Sequence, residues 1–148
     1  MSTVVSTNLL DAVFKVRQGE NRAAALELID RETNTVIKQA DITRIVYTIF
    51  RRGVKNTIQL NPPPDEPIEG HINREIPVTS AIRDDPTEDP IDGVRYNFLY
   101  IIPCIDEEGN DITPFTESGA NYDMVIRFIP FIGGDKYAIQ KTIRIECI

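Results

Sequence analysis

Apolar and polar residues alternate with a period of two over much of the chain, most plainly at its C-terminal end. Odd positions from Tyr137 to Cys147 are apolar except Lys141, and even positions from Gln140 to Glu146 are polar. A strand with one wet face and one buried face produces that pattern, because successive side chains point to opposite sides of a sheet. Residues 122–131, Tyr-Asp-Met-Val-Ile-Arg-Phe-Ile-Pro-Phe, read as its partner. Between them, Ile132-Gly133-Gly134-Asp135-Lys136 is turn chemistry, since glycine reaches positive φ without steric cost. Residues 122–147 therefore predict a hairpin. Pro130 has no N–H to give to a ladder, so it belongs near the strand's end or on an edge.

Further strands are expected upstream. Residues 13–17 form a short one, and residues 23–29 its continuation after the turn Gln18-Gly19-Glu20-Asn21. A helix over residues 22–29 competes there, because Ala and Leu favour it. The segment is short, however, and Ala24, Leu26 and Leu28 alternate against Glu27, which favours a strand. Asp30-Arg-Glu-Thr-Asn34-Thr reads as a strand-to-strand turn. Residues 42–50 are β-branched and aromatic almost throughout. Residues 96–102 place Tyr96, Phe98, Tyr100 and Ile102 on one face, and residues 72–79 give a weaker strand signal.

The middle of the chain breaks the alternation. Residues 61–70 and 84–93 are rich in proline and acid, and they echo each other as Asp-Glu-Pro67-Ile68-Glu-Gly and Glu-Asp-Pro90-Ile91-Asp-Gly. Such segments read as two long loops that turn into strands, and long loops in compact domains tend to be functional or disordered. The 148 residues suit one domain with a real core. Residues 1–11 are expected to form an N-terminal arm, and residues 12–148 a single all-β, antiparallel sandwich of about seven strands. An incompletely closed barrel is the second choice.

Charge narrows the function. The net charge is −7, and residues 61–148 hold seventeen acidic against seven basic side chains. An acidic chain repels phosphate backbones, so no nucleic-acid partner is expected. Arg51, Arg52 and Lys55 are the nearest approach to a basic patch. No apolar run is long enough for a membrane span, and no secretion signal is expected at Met1-Ser2-Thr3-Val4-Val5. Cys104 and Cys147 lie in apolar strand-like segments and read as buried free thiols in a reducing compartment.

Catalytic chemistry finds little support. The only histidine, His71, has no nucleophile or metal-ligand partner at a usual spacing, and it reads as a solvated or hydrogen-bonded loop residue. The acid pairs sit in one loop rather than on opposing cleft walls, as glycoside cleavage requires. Calcium is the fairer candidate, because Asp84, Asp85, Glu88, Asp89 and Asp92 supply several hard oxygens within one segment. Their spacing matches no EF-hand, and Pro86 and Pro90 restrict the wrap, so a solvated acidic loop is favoured. No cofactor and no enzymatic activity are expected.

Two sets of residues carry a resemblance. Gly119-Ala-Asn-Tyr122-Asp-Met124 reads either as a plain loop entering a strand or as a tyrosine corner of immunoglobulin-type sandwiches, with Met124 where antibody domains place a core cysteine. Phe14-Lys-Val-Arg17-Gln18-Gly19-Glu20-Asn21, Leu26-Glu-Leu-Ile-Asp30 and Val36-Ile-Lys-Gln-Ala40-Asp41-Ile42-Thr43 follow one another in the N-terminal third, leading into Ile45-Val-Tyr47-Thr-Ile49. Together they resemble the immunoglobulin-like domain of tailed-phage virion proteins, such as the N-terminal module of baseplate upper proteins. Gly93-Val-Arg-Tyr96 and the Tyr122 segment are similar to later strands of that family, while the acidic proline loops depart from it. The resemblance implies a virion protein, made in the host cytoplasm, that contacts other structural proteins and forms a homo-oligomer on the particle as capsid decoration, neck or baseplate component. Expected contact residues are Val4, Val5, Leu9 and Leu10 of the arm, Pro67, Ile68, Pro90 and Ile91 of the loops, and Arg51 and Arg52. The final strand, if it lies at a sheet edge, is a further expected contact. The rival expectation is an independent ligand- or carbohydrate-binding sandwich, assisted by calcium.

Overall fold

The computed structural model describes residues 10–20, 22–30, 33–53, 65–88 and 95–148. Among them the chain forms β1 (Ala12–Val16), β2 (Ala23–Leu26), β3 (Ile29–Asp30), β4 (Thr35–Val36), β5 (Ile42–Arg51), β6 (Glu66–Pro67), β7 (Arg74–Ile76), α1 (Val78–Ala81), β8 (Ile82–Glu88), β9 (Arg95–Ile101), β10 (Asn121–Pro130) and β11 (Ile139–Cys147). Single 3-10 turns occupy Gln39–Asp41 and Gly134–Tyr137. The protein is mostly β, and three of its strands are only two residues long.

Alternation in the sequence becomes two facing layers. The larger sheet runs β1-β11-β10-β5-β6, with β7 also paired to β5, and the smaller runs β2-β9-β8. Their inner faces meet in one cluster: Tyr47, Ile49, Met124, Ile126, Ile143 and Ile145 come from the larger sheet, and Ala24, Leu26, Ile82 and Phe98 from the smaller. Phe98 and Phe128 cross between layers edge to face, with centroids 5.2 Å apart. Each such large side chain contributes about 1.5–3 kcal/mol by leaving water. The hairpin of residues 122–147 is the spine of this arrangement, with Tyr122 opposite Ile145 and Phe128 opposite Ile139. Pro130 ends β10 beyond a register shift, where its missing N–H interrupts nothing.

Several expectations are corrected. Residues 23–29 are extended rather than helical over β2, but β2 does not continue β1 in the same sheet. The chain crosses layers at Gln18-Gly19, so that β1 pairs parallel with β11 while β2 pairs antiparallel with β9. β11 is consequently internal, between β1 and β10, and the exposed edge belongs to β1. The acidic segment from residue 84 is not all loop. β8 runs through it to Glu88, and residues 83–86 lie in an irregularity between the pairs Ile82–Phe98 and Thr87–Tyr96. A bulge tolerates both the missing N–H of Pro86 and two adjacent carboxylates, which a regular central strand would not. The predicted strand over residues 72–79 shrinks to β7 and gives way to α1. Cys104 lies in no strand and is half-buried, while Cys147 is buried; both are free.

Candidate interaction surface

One end of the two layers carries more exposed apolar surface than a folded chain needs for its own stability. β10 passes into β11 through residues 131–138, and this connection leaves Phe131, Ile132 and Tyr137 at 65%, 87% and 60% exposure. Gly133 fixes its shape. Its φ is +89°, and a Cβ there would fall 1.8 Å from the Tyr137 ring. Only glycine allows Tyr137 to fold back over the turn, which leaves Ile132 projecting.

Beside this projection lies a cleft of about 430 Å³. Its apolar lining comes from Val36, Ile37, Ile42, Pro130 and Ile139 together with the projecting Phe131 and Ile132, and Asp30 and Asp41 are among the polar lining. Four sets of bonds hold this end together. Asn97, fully buried on β9, accepts the Leu28 N–H through Oδ1, and its Nδ2 donates to the carbonyls of Leu28 (3.3 Å) and Ile37 (2.9 Å). Ile37 N–H closes the base of the β3–β4 hairpin onto Leu28 O at 3.0 Å. The Gln39 amide donates to Thr79 O and Ile82 O, and Gln39 N–H donates to the Asp84 carboxylate at 2.9 Å, tying the 3-10 turn to the smaller sheet. Finally, Phe131 N–H donates to Asp41 O at 3.2 Å, carrying the β10–β5 pairing past Pro130–Ile42 into the projecting turn. Knob and cleft are therefore parts of one braced end.

The expected site residues that are described do not line this cleft, and three of them are occupied by the fold. Arg51 pairs with Glu117 at 2.7 Å. Arg52 and Arg144 converge on Asp123 at 3.0 and 2.9 Å, so Arg52 is a brace across strands rather than a free cation. Ile68 packs partly buried against the core, and its N–H donates to Ile49 O, while Pro67 is exposed on β6. Leu10 is half-buried beside the start of β1. Val4, Val5, Leu9, Pro90 and Ile91 lie outside the described residues, as do Lys55, Asp89 and Asp92. Of the calcium candidates, Asp84 and Asp85 are exposed on β8, and Asp84 already accepts Gln39 N–H. Among the described residues no three His, Cys, Asp or Glu side chains converge on a common point.

Of the two expectations for His71, solvated or hydrogen-bonded, the second holds. His71 is fully buried, with Nε2 donating to Ile112 O at 2.7 Å and Nδ1 accepting from the Tyr47 hydroxyl at 2.7 Å. A carbonyl only accepts, so this tautomer is fixed by the geometry. Burial holds the imidazole below its ordinary range, against the opposing effect of the Ile112 carbonyl. Gly70, with φ +88°, makes the approach possible, because a Cβ there would meet Ile112 at 2.5 Å. Burial likewise raises the Tyr47 hydroxyl and the Cys147 thiol, leaving both protonated at neutral pH and unsuited to nucleophilic attack.

Only Ile132 was expected in the turn; Phe131 and Tyr137 were expected on the flanking strands, but β10 stops at Pro130 and Tyr137 ends the 3-10 turn before β11. Their signal is three large apolar residues around two glycines, in a place where turn composition alone calls for polar ones. No family model, curated protein or solved structure matches this chain.

Proposed function

We propose that this chain is a non-enzymatic structural or assembly protein with an immunoglobulin-like β-sandwich fold, working by protein–protein contact in a tailed-phage virion. The sheet orders β11-β10-β5 and β2-β9-β8 support the fold reading, since they follow the G-F-C and B-E-D orders of immunoglobulin sandwiches. Tyr122 adds to it: its hydroxyl accepts the Glu117 N–H at 3.2 Å, tying strand to upstream backbone as a tyrosine corner does. Met124, fully buried, fills the core position expected of it. The virion assignment rests on the sequence resemblance, as capsid decoration, neck or baseplate component.

The observation that carries the contact reading is the exposed apolar end formed by Phe131, Ile132 and Tyr137 beside the cleft. A contiguous apolar patch rimmed by polar groups is the usual mark of a protein–protein surface. Partners are other structural proteins of the particle. The test is composition: tailed particles made from the genome that encodes this chain are banded on a density gradient and analysed by quantitative mass spectrometry. The reading expects the chain at a fixed ratio to the major capsid or tail proteins through repeated gradients. A chain found only in the soluble fraction contradicts it.

A further inference from the structure

Independently of that contact reading, we infer that residues 104–112, in the connection from β9 to β10, form an acid-released flap latched by His71. The flap is a turn closed on itself. Ile112 N–H donates to Cys104 O at 2.8 Å, Ile105 bridges Asp111, and the Asp106 carboxylate accepts the Glu108 and Asn110 N–H groups at 2.9 and 2.8 Å. A buried bond and a surface one tie it to the body. The buried one runs from His71 Nε2 to Ile112 O at 2.7 Å, where the Ile112 side chain packs onto Gly70. The surface one pairs Arg74 with the exposed Glu107 at 2.9 Å, and exposed pairs of this kind hold weakly.

The surroundings of His71 admit a neutral ring and oppose a charged one. From β5 the Tyr47 hydroxyl donates to Nδ1, and Tyr100 of β9 lies against the Tyr47 ring at 5.5 Å. From β7 the Arg74 guanidinium adds a positive field at His71, and Glu107 and Asp106 of the flap face that same arginine. A proton on Nδ1 therefore takes away the acceptor of the Tyr47 hydroxyl and puts a second cation near Arg74, with no exposure to water. Relief comes from the weaker cover. Tyr47 sits in β5, paired to β10 on one side and β7 on the other, whereas the flap has one bridge of its own.

The sign follows from linkage. Closed, the ring takes up a proton less readily than it does in water, so a falling pH favours the open flap. Below about pH 6.5 each unit makes opening about tenfold easier, until the closed form titrates as well. Bonds from the Asn110 backbone and from Thr113 hold Asp106 and Asp111 below the ordinary carboxylate range, so both stay charged across this window. Opening bares the Ile112 side chain and adds it to Ile105, already 64% exposed, giving an apolar surface that acid controls.

The experiment is hydrogen exchange followed by NMR on the full chain at about pH 7.5, 6.5 and 5.5, corrected for intrinsic exchange chemistry. A turn closed by one bridge does not hold alone in water, so its own amides report the opening. The Ile112 and Asp106 amides should lose about tenfold in protection between about pH 6.5 and 5.5. They should stay less protected than the β10–β5 amides at every pH and indifferent to dilute urea, as a local opening is. His71→Gln, whose amide still has a donor for Ile112 O but takes up no proton, should abolish the slope. Glu107→Gln should lower flap protection equally at every pH and keep the slope. The His71 Hε1 resonance reads the latch without any variant: at about pH 6.5 it should keep its neutral position. Flap protection that does not change with pH overturns the inference. So does a slope that survives His71→Gln or vanishes in Glu107→Gln, a flap that opens only with the whole ladder, or a resonance half-titrated at about pH 6.5. The resonance and Glu107→Gln decide the matter even where His71→Gln does not fold.

Discussion

Individual polar residues hold this protein together at places where the core would otherwise come apart. Asn97 is the clearest. A fully buried amide bonded to Leu28 and Ile37 acts as a substitute for missing strand pairing, because the β3–β4 hairpin is a separate sheet. Asn97→Leu would take away the partners of Leu28 N–H and Ile37 O, while Leu28 O keeps the Ile37 N–H, at about 1–3 kcal/mol for each group left unsatisfied. Urea unfolding should report a loss of at least about 2 kcal/mol, and hydrogen exchange should show the Ile37 amide opening first. An unchanged midpoint would count against the bracing role. His71 makes a second prediction. Unfolded, its imidazole titrates near about 6.5; folded, burial keeps it lower. The unfolded chain therefore binds more protons in the window below about pH 6.5, so stability is whole above that value and falls as the pH drops through it. His71 is the only histidine, which makes the window between pH 7.5 and 5 its own. The native chain should lose stability across it, and His71→Gln should flatten the profile; equal slopes would refute the linkage. Neither residue's role was legible in the sequence. Asn97 and His71 are polar positions whose burial depends on partners 69, 60 and 41 residues away, and local pattern is silent about those distances.

At the scale of elements, alternation was a reliable guide wherever one face is buried. β9 and β10 lie within a residue of where the period of two puts them, β11 begins two residues later at Ile139, and β5 lies where its β-branched and aromatic run puts it. It failed in two instructive ways. Acid and proline in residues 84–88 read as loop, yet β8 carries them by bulging against β9. Strand order was also out of reach, because a strand's own pattern does not say which neighbours flank it. The expectation that β11 offers a free edge gives way for that reason: its Thr142 N–H donates to the Asp11 carboxylate at 2.8 Å, and β1 covers its outer side. Proline at Arg144 would therefore do more than block strand addition. In an internal strand it removes a ladder bond and leaves the facing carbonyl without its donor, costing about 1–3 kcal/mol. Circular dichroism melts should show the domain itself weakened, whereas a native melting temperature would restore the edge interpretation. A truncation meant to test the N-terminal arm should stop before Asp11, which also pairs with Lys141 at 3.5 Å. Removing residues 1–9 should weaken assembly while leaving the melting temperature unchanged, and unchanged incorporation into particles would argue against the arm.

For the whole molecule, the two layers act as a rigid mount for one apolar end. Arg52, Arg144 and Asp123 stiffen the outer face of the larger sheet, and Asn97, Gln39 and Asp41 fix the cleft walls against the smaller one. Preorganisation of this sort lowers the ordering cost of binding, so a modest apolar patch can serve as a specific contact. The candidate site was half legible: the Ile132–Lys136 turn was identifiable from its glycines, but its exposure follows from the fold of Tyr137 over Gly133, which only three-dimensional geometry reveals. Incorporation into particles shows whether the protein works through this end. Native chain and Ile132→Asp are supplied in equal amount to particles assembling without their own copy, and the bound fraction of each is measured on gradient-purified particles. Ile132→Asp is expected to melt at the native temperature and to be incorporated at least about tenfold less, corresponding to the roughly 1.4 kcal/mol or more that a lost apolar anchor removes. Equal incorporation of the two chains would contradict it.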